Sequence, residues 1–219
     1  MYLSDIHTHS IASGHGTSCT ISDMAKAASK KGLKLLGITD HGPGTLAAGT
    51  SSYFRSLTYA PKKRFGIELL FGAELNILDT EGHLDLNDEL LSELDYAIAS
   101  MHAQNYKSGT VEENTSAYLN AMRHPCVKVL GHCDNPAFPV DYETLAFGAK
   151  EYGVIFEINE ASLMPDGYRG DTRANNKEIL RCCKKLELPI VLSSDSHGAE
   201  HVGDVTYGAE FVHEMMFPE

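Results

Sequence analysis

Asp5-Ile6-His7-Thr8-His9-Ser10 sets two histidines at alternate positions near the start of the chain. On a strand such residues share a face. Imidazole nitrogen suits zinc, iron, copper or nickel better than calcium or magnesium, so the pair can hold a transition metal. Alone it is a weak motif, but further metal-binding residue types follow: Asp40-His41, Glu74, His102, His132 and the alternating Asp195-Ser196-His197. His15, in the glycine-flanked Ser13-Gly14-His15-Gly16, is a further candidate. A catalytic zinc takes about three protein ligands. Nine candidates, His7, His9, His15, His41, Glu74, His102, His132, Asp195 and His197, therefore imply two or three metals that share carboxylates. Zinc, manganese and iron all suit such a set, as divalent or trivalent ions. His83, His124 and His213 lie outside this placement and are read as ordinary surface histidines, with His201 intermediate.

The elements that would carry these residues are short apolar runs alternating with stretches of helical period. Seven runs are expected as strands: 2–7, 34–39, 68–78, 96–101, 127–131, 154–158 and 190–194. Helices are expected over about 22–31, 87–94, 111–123, 142–152 and 175–186, with a last one near His213. Gly32 and Gly153 are placed to end two of them. The turn signal Asp79-Thr80-Glu81-Gly82 predicts a small hairpin after the third run. Strand and helix repeated seven times reads as an α/β protein, a (β/α) barrel just short of the usual eight. An open doubly wound sheet is the alternative, though no G-x-G-x-x-G follows the first run. In a barrel the strand carboxyl ends converge on one face, and six of the seven runs end in a metal-binding type.

The 219 residues carry a formal charge of −12 and no linker or low-complexity break, so a single domain over 1–219 is expected, with neither a nucleic-acid footprint nor a membrane span. The five cysteines form no C-x-x-C pair. Free thiols, together with an N-terminus that lacks the charged and apolar regions of a signal peptide, point to a cytoplasmic protein.

The motifs D-I-H-T-H-S, the G-H-G loop, I-T-D-H-G, G-A-E-L-N, A-S-M-H, V-L-G-H and S-S-D-S-H-G stand in an order and spacing by which the chain resembles the PHP (polymerase and histidinol phosphatase) superfamily, most closely its small stand-alone YcdX-like phosphatase branch. The resemblance implies a distorted (β/α)7 TIM-like barrel with a trinuclear site at the strand carboxyl ends. It places one metal on His7, His9, Glu74 and Asp195, a second on Glu74, His102 and His132, and a third on His15, His41 and His197. Members usually continue beyond a segment like Phe217-Pro218-Glu219, so the chain looks short by a final strand or tail.

Such a centre suits hydrolysis of a small phosphorylated metabolite, a phosphomonoester, by attack of a metal-bridging hydroxide. Asp195, Glu74 and His197 are expected at the reacting centre. Arg169 and Arg173, in the loop after the sixth run, are candidates for binding substrate phosphate. Asp5 and Asp40 are candidates to orient ligand histidines. Lys62-Lys63-Arg64 reads as a solvated helix face or turn, and 44–55 as a loop. Competing readings are a nuclease or phosphodiesterase, a metal-binding regulator without turnover, and an amide or lactone hydrolase.

Overall fold

A computed structural model describes residues 3–216. The start of the first expected strand and the segment 217–219 lie outside the described residues. Two sheets hold the centre of the molecule. Strands β1 (Ser4–Asp5), β2 (Leu35–Ile38), β4 (Ile67–Phe71) and β3 (Lys63–Arg64) form the first, in the order β1-β2-β4-β3. The second runs in chain order through β5 (Ala73–Asn76), β6 (Ala97–Ser100), β7 (Val127–Leu130), β8 (Ile155–Asn159) and β9 (Ile190–Ser193). All pairings are parallel except β3 with β4.

The third expected run is thus divided between the sheets. Gly72 is the joint, where a Cβ would stand 2.6 Å from the Tyr96 carbonyl oxygen, so only glycine lets β6 approach this closely. Isolated parallel bridges, His41 with Glu74 and Thr8 with Ser196, link the sheets along both seams. Both bridges consist of candidate ligands or their immediate neighbours. The seven expected runs are all present as parallel strands, with β4 and β5 making up one of them, and the hairpin after it is marked by an antiparallel bridge between Ile77 and Leu84.

Helices α1 (Ile21–Lys30), α4 (Val111–Ala121), α5 (Tyr142–Tyr152), α7 (Arg173–Leu186) and α8 (Thr206–Met216) alternate with the strands, alongside shorter α3 (Asp88–Leu91) and α6 (Glu160–Leu163). Capping boxes, Thr20 with Asp23 and Thr110 with Glu113, start α1 and α4. Gly153, at φ 67°, ends α5 in the left-handed conformation. Two expectations are corrected. Residues Ser51–Leu57 form helix α2, held by burial of Phe54 and Leu57, where a loop was expected. Lys63–Arg64 is a short edge strand closing a hairpin onto β4 through the positive-φ pair Phe65-Gly66.

Strand alternation decides what reaches the interior. On β8, Phe156 and Ile158 join the main core with the helices, while Glu157 and Asn159 face the other way and are also buried. On β5, Ala73 and Leu75 belong to that core and Glu74 and Asn76 do not. The inward face holds a small apolar plug of Tyr96, Ile98 and Val129 with Ile6, Leu70 and Val191. Above it the inward positions turn polar, and the histidines begin.

Candidate metal centre

Glu74 on β5 is the hub. Its Oε2 lies 2.7 Å from His41 Nδ1, 3.5 Å from His7 Nε2 and 3.6 Å from His9 Nε2. Its Oε1 lies 2.8 Å from His132 Nε2 and 3.3 Å from His102 Nε2. Asp195, just past β9, presents Oδ1 at 3.2 Å from His9 Nε2 and 3.6 Å from His7 Nε2. The His197 ring stacks on His9 at 4.1 Å, and the His15 ring lies 4.9 Å from His41 and 5.0 Å from His197. All nine residues expected from the sequence therefore meet in one place. Two of them, His132 (φ 27°) and Asp195 (φ 54°), hold positive φ, a backbone strain of the kind that collects at functional sites.

The donor set fits metal ions on a direct observation. His7 Nε2, His9 Nε2 and His197 Nε2 are buried without hydrogen-bond partners, and His41 Nδ1 and Glu74 Oε2, though 2.7 Å apart, lack the angles of a hydrogen bond. Orphaned buried polar atoms are costly, and here they converge. Three groups bring ligand atoms within 4.8 Å of one another: His7, His9 and Asp195; His9, His41 and His197; His41, Glu74 and His102. The groups overlap through His9 and His41, as expected of a site in which ions share ligands.

The residues behind these ligands fix their ring tautomers. Asp40 Oδ1 accepts from the Ser13 hydroxyl at 2.7 Å and the Ser10 N–H at 2.6 Å, while Asp40 Oδ2 accepts from Ser10 Oγ and the Tyr53 hydroxyl. Ser13 has one proton and gives it to Asp40, so at 2.8 Å it accepts from His9 Nδ1, leaving His9 Nε2 bare for a metal. Asp40 thus acts through Ser13, without touching an imidazole. Asp5 does not orient a ring at all. It accepts from Ser194 Oγ and the N–H groups of Ser194, Gly203 and His7, tying β1 to the segment after β9. Ser13→Ala is expected to weaken metal binding about 10–100-fold and to lower the stability of the stripped protein by only about 1–3 kcal/mol. Titration against a chromogenic chelator alongside thermal melts checks both, and unchanged metal affinity would remove the tautomer argument.

Glu157 was not singled out in the sequence, yet it is central. Its Oε1 lies 2.6 Å from His7 Nδ1, and its Oε2 accepts from the His132 N–H at 2.6 Å and from Asn159 Nδ2 at 3.0 Å. A lone carboxylate between Phe156 and Ile158 on an otherwise apolar strand was the available signal. Asn76 plays the same part for His102, its Oδ1 lying 2.7 Å from His102 Nδ1, and is itself held by Asp85.

Burial sets the field and the neighbours decide the outcome. Burial opposes a charge on His7, but Glu157, Asp195 and Glu74 outweigh it and raise its pKa well above the ordinary value. Burial, reinforced by His41 and His197, holds His9 well below it. His132 is pushed down to about 4 by burial and by the Arg169 charge. For Glu74, burial is outweighed by His41, His102 and His7, and for Asp195 by His7 and Arg169, so both carboxyl groups lie well below the usual range.

A cavity of about 390 Å³ opens above the hub, walled by Met101, Phe138, Tyr168 and Arg169. The Arg169 guanidinium is buried and donates to Asp195 Oδ2 at 2.8 Å and to Asn159 Oδ1 and Ser162 Oγ, both at 3.1 Å. Arg173 is placed elsewhere: it pairs with Glu214 at 2.9 Å, stacks over Phe211 and does not line the cavity. His83 pairs with Asp79, and His124 lies 3.5 Å from Asp88, both away from the hub. All five cysteines are free, and no helix among the described residues is long and apolar enough to cross a membrane.

The family model of the PHP domain matches residues 5–162. A probable phosphatase of Clostridium novyi (strain NT) is 39% identical over 218 residues, covering 100% of this chain and 88% of the relative. A probable phosphatase of Thermoanaerobacter sp. (strain X514) is 42% identical over 200 residues, covering 91% and 80%. Among solved structures, the histidinol phosphate phosphatase of Lactococcus lactis, complexed with zinc, L-histidinol and phosphate, superposes with a TM-score of 0.62 at 19% identity, over 99% of this chain and 95% of that one.

Proposed function

The chain belongs to the PHP domain family, and from that membership we infer that its histidine-rich centre is that of a metal-dependent phosphatase acting on a small phosphomonoester. The observation that carries this reading is Glu74, a buried carboxylate whose two oxygens are both faced by imidazoles, several with bare, unpartnered nitrogens. The proposed ligands are His7, His9, His15, His41, Glu74, His102, His132, Asp195 and His197, holding two or three ions of zinc, manganese or iron. The zinc in the distant Lactococcus structure supports that choice of metal class. Bound metals supply a water activated at neutral pH and neutralise charge on the phosphoryl oxygens.

The chain's own residues do the rest. Glu157, Asn76 and the Asp40–Ser13 pair hold His7, His102 and His9 with one nitrogen turned toward the centre. Asp195 is fixed from behind by Arg169 and Asn159. Arg169 has five N–H donors and commits three in its contacts with Asp195, Asn159 and Ser162, which leaves two for a phosphoryl oxygen. No side-chain nucleophile is required: Ser194 is bonded to Asp5 and Ser196 to the Gly198 carbonyl, so neither is paired with a general base in the manner of a triad. The five free thiols suit a reducing, cytoplasmic setting.

The test is reconstitution of stripped protein with zinc, manganese or iron, followed by a panel of phosphomonoesters that includes p-nitrophenyl phosphate and histidinol phosphate, with elemental analysis on the same preparation. Phosphate release that depends on added metal, with two or three ions per chain, is expected. Absence of release from every ester under all three metals would refute the reading.

A further inference from the structure

The cavity above the hub does not end at Asp195 and His197. A second groove of about 740 Å³ shares these two residues and Tyr168 with it, and is bounded by Met164 on the loop after α6 and by Tyr207 and Glu210 on α8. Tyr168 stands at the junction and lines both spaces. Tyr168 is 78% exposed, and its ring is backed by the Arg169 guanidinium at 4.6 Å. Met164 and Tyr207 are also partly open to solvent, at 40% and 41%. A groove of this size, with an apolar wall and with Asp195 and His197 of the candidate metal centre in its lining, has the form of a small-molecule subsite.

Its charges are one-sided. Among the described residues lining the two spaces, Arg169 is the one Lys or Arg, and three of its donors are already committed. The groove adds three carboxylates. Glu160 is spent on the N–H groups of Tyr207 and Gly208 at the start of α8, and Asp204 is paired with Lys31 at 2.8 Å. Glu210 is exposed and has no cationic partner among the described residues. An anionic group on the substrate, beyond the phosphate itself, would meet Glu210 and no lysine or arginine there, the one imidazole of the groove outside the metal centre, His201, lying 3.6 Å from Asp204.

We propose that this groove receives the alcohol part of the substrate, and that the enzyme selects phosphomonoesters of uncharged or cationic, partly apolar alcohols against those carrying a second anionic group. The inference rests on the phosphatase reading. The apolar face of the alcohol packs on Tyr168, Met164 and Tyr207, and like-charge repulsion from Glu210, unrelieved by any lysine or arginine, turns anionic alcohols away.

The test compares three esters of similar shape on the metal-loaded enzyme: p-nitrophenyl phosphate, 4-(aminomethyl)phenyl phosphate, which is cationic, and 4-carboxyphenyl phosphate, which is anionic. At about 0.15 M salt the cationic ester is expected to exceed the anionic one by roughly five- to tenfold in kcat/KM, mainly through KM, as suits one partly screened charge contact. Glu210→Lys should shrink or reverse that ratio and Glu210→Gln should give an intermediate value. Because each variant is judged on a ratio between two esters, a general loss of activity cannot imitate the effect. Cleavage of p-nitrophenyl phosphate with the charged esters within twofold of each other, or a ratio unmoved by Glu210→Lys, overturns the proposal and leaves the phosphatase reading standing. If none of the three esters is cleaved with any metal, the proposal falls, and the phosphatase reading falls with it only when the wider phosphomonoester panel is uncleaved as well.

Discussion

Glu74→Gln lowers metal-dependent phosphomonoester turnover by about 10³-fold or more, the largest effect expected of any single conservative change in the chain. The proposed role of Glu74 is to bridge ions, and both oxygens are needed for it, since Oε2 faces His7, His9 and His41 while Oε1 faces His102 and His132. The amide keeps the size but removes the negative charge and turns one acceptor into an NH₂ donor, which offers nothing to a cation. Loss of one bridging charge from a multinuclear site removes several kcal/mol of transition-state stabilisation, at about 1.4 kcal/mol per tenfold in rate. Elemental analysis separates the two ways this can happen: fewer ions per chain, or the same ions badly held. His83→Ala is the matched control, because His83 is exposed and pairs only locally with Asp79. Turnover of Glu74→Gln within tenfold of the parent would contradict the bridging role.

What the sequence revealed and what it hid divide along a physical line. The proposed ligands were legible because a site built from strand ends writes itself into the chain at each βα junction, and six junctions repeat the same residue types. Residues that orient those ligands were not, because they reach the site from positions with other meanings. Glu157 sits inside a strand, and only the sheet's alternation reveals that it points at His7. Tyr53 and Asp40 act on His9 through Ser13, a path that needs tertiary structure to exist. Helix α2, which carries Tyr53, is 7 residues long and follows a glycine-rich stretch, so its period was too short to register. The two arginines show the limit from the other side. Arg169 and Arg173 lie four positions apart in one loop region, yet the first is buried against Asp195 and the second pairs with Glu214 on the outside.

Stripping the metals should reshape the dependence of stability on pH, in a direction that follows from the histidines. His7 and His41 have raised pKa values: in both, burial is outweighed by carboxylates, Glu157, Asp195 and Glu74 for the first and Glu74 for the second. Their contribution is complete below the ordinary 6.5 and is lost as pH climbs through the raised values. His9, His15, His132 and His197 have lowered values, chiefly from burial, so they hold no proton in the fold where the unfolded chain would take one. Their contribution is present above 6.5 and is lost as pH falls below it. Each proton difference is worth about 1.4 kcal/mol per pH unit, and four groups oppose acid while two oppose base. Stability of the stripped protein is therefore expected to peak near pH 6.5, falling more steeply on the acid side. Metal binding must displace the His7 proton, so affinity rises with pH through neutrality and proton uptake by the buffer accompanies loading. At pH 8 and metal about 1,000-fold above its dissociation constant, each ion bound adds about 4 kcal/mol, or roughly 8–16 °C in Tm for a chain of this size. Calorimetry in buffers of different ionisation enthalpy measures the protons, and thermal melts with and without chelator measure the rest. A stripped protein whose stability is flat from pH 5 to 9, or a chelator that leaves Tm at pH 8 unmoved, would mean that these buried rings do not face one another as charges and bare nitrogens, and the metal assignment would fail with them.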